Sequence, residues 1–155
     1  MIAILYSGEM LVAFLLAIVL LVISPLRIAS AAALFTCGVA AWTLGEYVVH
    51  RLVLHSLTPT QHGLHHAHPD KAVLTIFWQI WVCFAIVYLI AGGALLAGAL
   101  VAYAWYLFVH HCAHHGSHGL PSPLFKHHQI HHRFASRNYG VSTTIWDHVF
   151  GTLLR

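Results

Sequence analysis

Sixteen histidines occur in this 155-residue chain, and ten of them fall into four short groups beside apolar runs: His50/His55, His62/His65/His66, His110/His114 and His128/His131/His132. Neutral imidazole is the commonest protein ligand for metal ions. Residues three or four apart share one face of a helix, so HGLHH (62–66) and HQIHH (128–132) are each expected to turn several ring nitrogens toward one point. Ten imidazoles with almost no cysteine or carboxylate among them are enough for two ions of roughly five or six ligands each. Spacing alone leaves His110/His114 and His111/His115 open, since both pairs are four apart.

Other chemistries fit this set less well. Ten imidazoles packed beside a bilayer with no shared partner would leave many polar nitrogens unsatisfied, at about a few kcal/mol each. Structural zinc takes about four ligands per ion and usually recruits thiolates, whereas Cys37, Cys83 and Cys112 are scattered and form no CxxC pair. A bis-histidine haem wants single histidines at matching depth in facing helices, not runs such as HHCAHH. A metal transporter should carry its ligands near the membrane midplane, inside the spans, where this chain has none. Redox iron remains, because imidazole suits iron and an oxygen-activating site keeps open positions for substrate. The isolated His68, His118, His127 and His148 read as hydrogen-bonded core residues.

The elements that must position these ligands are apolar. Hydrophobic residues make up 59% of the chain and charged ones 7%, and the mean hydropathy is +0.77, a balance that belongs to an integral membrane protein. The charge-free run 10–26 is long enough to cross a bilayer, which needs about 20 apolar residues, and Pro25 with Arg27 ends it. A second span follows at 28–49, apolar except for Glu46. The stretch 72–109 would overshoot a hydrocarbon core of about 30 Å nearly twofold as one helix, and Gly92-Gly93 offers a break, giving spans at roughly 73–91 and 94–110. The expected fold is therefore an all-α integral membrane protein of four transmembrane helices. A histidine-rich helical cap (50–71 and 111–155) would hold the dimetal site, and 1–155 would form a single domain.

An even span count puts both termini and every histidine group on one side. Arg51, Lys71, Lys126, Arg133, Arg137 and Arg155 fall on that side and only Arg27 on the other, which makes it the cytoplasmic side. The net charge of +3 thus reports topology and contact with anionic lipid. No arginine-rich face with interleaved aromatics points to nucleic acid. The N-terminus lacks the basic region of a cleaved secretory signal.

Together the segments EYVVHRLVLH (46–55), HGLHHAHPD (62–70), HHCAHHGSH (110–118), KHHQIHH (126–132) and NYGVSTTIWDHVFGT (138–152) resemble the signature of the fatty acid hydroxylase/sterol desaturase superfamily, above all that of the fatty acid 2-hydroxylases. The likeness runs in order from Glu46 to the C-terminus. It implies a membrane oxygenase with two iron ions, for which zinc can substitute on isolation, using dioxygen and two electrons to hydroxylate or desaturate lipid C–H bonds. It assigns as ligands His50, His55, His62, His65, His66, His110, His114, His128, His131 and His132, and so favours His110/His114 over the alternative pair, with His115 beside the site. Glu46, one helical turn before His50, and Asp147 of the WDxxFGT motif would accept the distal N–H of a ligand imidazole.

The short link between His55 and His62, and a histidine at position 111 where an aromatic is usual, depart from the 2-hydroxylase pattern. With no cytochrome b5 domain in the sequence, electrons are expected from a partner such as a cytochrome b5 or a ferredoxin and its reductase. The substrate would be a membrane lipid. His68, Lys71 and Arg133 would meet its headgroup, and a carotenoid or sterol hydroxylase or desaturase is the neighbouring alternative.

Overall fold

The computed structural model describes residues 2–69, 77–116 and 122–155. Lys71 and His118 lie outside the described residues, as do 73–76 at the start of the expected third span. Every regular element among the described residues is helical. The elements are α1 (Ile2–Val22), α2 (Ile28–Val48) with a π-helix (Val49–Leu57) directly after it, α3 (Pro59–Ala67), α4 (Phe77–Ala91), α5 (Gly93–His115), α6 (Pro123–Arg133) and α7 (Ile145–Val149).

The helix limits differ from the expected spans where local chemistry intervenes. α1 begins eight residues before Met10 and stops at Val22, because proline disfavours helical geometry in the residue before it and Pro25 so pushes Ser24 out of the helix. The break at Gly92 falls where expected: its φ of +80° is a left-handed conformation open to glycine and strained for other residues. α5 runs on through His115, five residues past the expected limit, so its last turns carry histidines. Among the described residues two helical stretches, Ile28–Leu57 and Gly93–His115, are long and apolar enough to cross a bilayer, and Ser7–Val22 and Trp78–Ala91 are shorter apolar helices.

The chain divides into two compact units, Met1–Trp42 with Val73–Trp105 and Thr43–Ala72 with Tyr106–Arg155. In the first, small residues let helices meet backbone to backbone. A Cβ on Gly98 would stand 1.9 Å from the Phe35 carbonyl oxygen, and one on Gly38 would stand 2.0 Å from that of Leu95. Ala94, Ala97, Leu100 and Tyr103 of α5 are buried, as are Ala13 and Ala17 of α1. Trp42, Phe84 and Tyr103 pack edge to face or tilted, with ring centroids 5.0–5.5 Å apart. Outward-facing Leu11, Phe14, Leu15, Val19, Leu89 and Ile90 are exposed, a surface suited to hydrocarbon and not to water. The second unit contains all ten expected ligands. Its apolar core is Val109, Ala113, Phe125 and Val141.

Candidate metal centre

The ten histidines converge into two groups, and the helical phase of each sequence motif decides the sorting. His50, His55, His62, His66 and His131 bring one nitrogen each to within 4.8 Å of one another, and His65, His114, His128 and His132 do the same. His110 joins the second group through its Nε2, 3.1 Å from that of His65. HGLHH and HQIHH therefore do not each face one point, as expected from sequence. Adjacent residues lie about 100° apart on an α-helix, so His62 and His66 go to the first group and His65 to the second. In the same way His128 and His132 go to the second and His131 to the first. The groups abut, with the rings of His66 and His132 stacked at 4.2 Å.

His50 and His55 are five apart, a spacing that would splay them by about 140° on an α-helix. The π-helix removes that mismatch, because its hydrogen bonds run from i to i+5 and stack such residues. Their ring centroids are 5.1 Å apart. The wide spacing was the signal for this element, and a reading in α-helical turns passes over it. On α5, His110 is buried and the His114 Nε2 lies 3.0 Å from the His128 Nε2, so this pair faces the other histidines. His111 and His115 instead pair with each other at 4.6 Å, and His115 is exposed.

The donor set and its spacing fit metal ions. Facing Nε2 atoms are 2.9 Å apart for His50/His62, 3.1 Å for His62/His66 and 3.1 Å for His55/His131. Two nitrogens about 2.1 Å from one ion and at right angles to each other lie about 3.0 Å apart. The Nε2 of His132 is buried and meets no hydrogen-bond partner among the described residues, a state that a bound cation would relieve. Burial lowers His131 to about 3 and, with repulsion from His110, His114 and His132, holds His128 well below the ordinary 6.5. These rings are thus neutral at pH 7 and offer lone pairs, as metal ligation requires.

Neither expected carboxylate meets a ligand imidazole. Asp147, fully buried, accepts at 2.7–2.9 Å from the His127 Nε2, the Tyr139 and Gly140 N–H groups and the Thr152 hydroxyl. Burial by itself would raise its carboxyl, but the bonds from His127, Thr152 and Gly140 together hold it below the ordinary 3.8. Glu46 accepts from the backbone N–H of Val141 at 2.6 Å and of Ser142 at 3.1 Å. The distal nitrogens of two candidate ligands are served instead by main-chain carbonyls: the His50 Nδ1–H donates to Tyr139 O at 2.6 Å and the His131 Nδ1–H to Arg137 O at 2.7 Å. Side-chain reasoning could not find those acceptors, because a carbonyl is common to every residue. The one trace is Asn138, whose φ of 56° suits asparagine better than most side chains.

Of the lone histidines, His127 is the buried, hydrogen-bonded residue expected. His68 and His148 are exposed and belong to no core. Arg133 is also exposed. Arg51 lies over the rings of Tyr47 and Tyr139, 6.0 and 5.8 Å from their centroids, and donates to the Tyr47 hydroxyl at 3.0 Å.

The family model described as fatty acid hydroxylase matches residues 35–152. A dihydroceramide fatty acyl 2-hydroxylase of Arabidopsis thaliana is 34% identical over 75% of this chain and 58% of its own length. A fatty acid 2-hydroxylase of Rattus norvegicus is 32% identical over 78% of this chain and 39% of its own. A solved structure, full-length scs7p with only the hydroxylase domain visible, aligns with a TM-score of 0.72 at 29% identity, covering 97% of this chain and 63% of that one. The chain thus spans little more than half of the plant relative and less of the mammalian one.

Proposed function

The chain belongs to the fatty acid hydroxylase family, and from that premise we propose that it is a membrane-bound, non-haem di-iron oxygenase that hydroxylates lipid acyl chains. The observation that carries the reading is the sorting of ten histidines into two abutting groups of five, with nitrogens spaced as ligands of one ion each. His50, His55, His62, His66 and His131 would hold one iron and His65, His110, His114, His128 and His132 the other. Bound there, the iron pair would pass electrons to dioxygen and supply the oxidant for an unactivated C–H bond. The overall change consumes one dioxygen, two electrons and two protons, replaces one C–H by C–OH and releases one water.

The protein's own part is to hold neutral imidazoles in place and to seat the acyl chain. The dihydroceramide and fatty acid 2-hydroxylases among the relatives favour an acyl lipid oxidised beside its carboxyl carbon. That outcome needs a headgroup kept at the interface, where His68, Lys71 and Arg133 would meet it. In this reading 1–155 is a single hydroxylase domain with four spans, both termini and the metal centre on the cytoplasmic side, and electrons from a cytochrome b5 or a ferredoxin with its reductase. Six cations on one side against Arg27 on the other support that orientation.

The test is reconstitution with ferrous iron, a reductase system and fatty acyl lipids under labelled dioxygen. The expected product is an acyl chain bearing a labelled hydroxyl. His128→Ala should abolish it while leaving the helices folded. Desaturated acyl chains, or hydroxylated sterol or carotenoid with an unlabelled acyl pool, would refute the acyl hydroxylase assignment.

A further inference from the structure

Two rings of the first histidine group and two of the second differ in how they are braced on the side away from the ions. In the first, His50 and His131 donate their Nδ1–H to the carbonyls of Tyr139 and Arg137. A carbonyl can only accept, so each neutral ring is fixed as the tautomer whose Nε2 carries the free lone pair. In the second, the buried Nδ1 atoms of His128 and His132 meet no acceptor among the described residues, so no such bond fixes the tautomer of these two rings.

The loop that supplies the two carbonyls is itself pinned. Glu46 accepts the N–H groups of Val141 and Ser142, and Asp147 those of Tyr139 and Gly140. Asp147 also ties the loop to α6 through His127, whereas Glu46 stands one α-helical turn before His50 and ties the loop to the very helix that carries this ligand. Ring, carbonyl, loop and carboxylate thus form a closed circuit around the first group.

We propose that Glu46 is a positioning residue for the ion held by His50, His55, His62, His66 and His131, and that this ion binds more tightly than the one held by the other five histidines. The proposal rests on the two-ion reading above. A ligand oriented before binding loses less freedom when it binds, and removal of such an outer partner typically costs about 10–100-fold in metal affinity.

The test is cobalt(II) titration of the full chain in detergent after chelator treatment, followed by visible absorption and by equilibrium dialysis. The first equivalent is expected to bind at least about tenfold more tightly than the second. His131→Ala should delete the tight step and His132→Ala the weak one. Glu46→Leu should weaken the tight step alone by about 10–100-fold, and Glu46→Gln, which keeps a carbonyl oxygen for the Val141 N–H, should recover most of that loss. Two equivalents bound with equal affinity, or a Glu46→Leu variant that weakens both steps alike, would overturn the proposal. If Glu46→Leu fails to fold, the wild-type, His131→Ala and His132→Ala titrations still decide it. A total below two ions per chain overturns the two-ion reading itself and this proposal with it.

Discussion

Replacing Asp147 by asparagine should destabilise the protein by an amount that can be worked out bond by bond. Oδ1 accepts from the Tyr139 N–H at 2.9 Å and the Thr152 hydroxyl at 2.7 Å, and Oδ2 from the His127 Nε2 at 2.9 Å and the Gly140 N–H at 2.8 Å. Asparagine keeps one oxygen for the first pair and turns an NH2 toward the second. His127 can change tautomer and accept from that NH2. The Gly140 N–H then faces a donor in a fully buried site and loses its partner outright. Loss of one hydrogen bond to a charged group, about 1.5–3 kcal/mol, with the N–H left unsatisfied gives roughly 2–4 kcal/mol. For a chain of this size that lowers Tm by about 5–15 °C. Thermal unfolding of the metal-free protein in detergent measures it. Because the folded carboxyl is held below 3.8, its contribution is complete above that value and lost as pH falls through the lower, folded pKa, so the gap between wild type and variant should close in strong acid. A variant that melts within a degree of wild type at pH 7, or a gap that widens in acid, would refute the account of Asp147 as the hub of this loop.

The metal-free protein should also weaken as pH falls from 7 to 5: burial lowers His131 from 6.5 to about 3, so only the unfolded state takes up a proton in that window. Each such histidine removes about 1.4 kcal/mol per pH unit below its ordinary pKa, and denaturant titrations at the two pH values read the sum. Gly98→Ala should cost about 3 kcal/mol or prevent folding, since the new Cβ meets the Phe35 carbonyl oxygen at 1.9 Å. Gly45→Ala, whose Cβ meets nothing within 4 Å, should stabilise α2 by about 0.5–1 kcal/mol. Single cysteines at Ser24 and Arg155, in a background without the native ones, should show opposite accessibility to an impermeant thiol reagent in sealed vesicles; equal accessibility rules out the four-span topology.

The apolar helix that starts at Ile28, the Gly92 break and the gathering of the histidine groups are legible in the sequence, because apolar run length and three- or four-residue spacing act locally. What was not legible depends on phase and on main chain. Taking HGLHH as one face merges His65 with His62 and His66, although its own phase, about 100° from that of His66, sends it to the other group. Glu46 and Asp147, expected to accept from a ligand imidazole, instead accept from N–H groups of a loop that no side-chain pattern announces. The extent of α1 and α5 was misjudged because hydrophobicity reports the bilayer, while helices end where backbone geometry changes.

The π-helix at 49–57 carries an implication for insertions and deletions. An α-helix becomes a π-helix locally when it accommodates one surplus residue, and here the surplus lies between two candidate ligands. Leu52 is exposed by 53% and lies inside the segment. Deleting it leaves His50 and the second histidine four apart, the separation at which an ordinary α-helix stacks side chains. This is one of few helical positions where a shortened chain is expected to keep its ligand pair facing the same ion, whereas inserting a residue at the same point should scatter them. Tolerance to length change would then be lopsided: one residue fewer retains bound metal, one residue more does not.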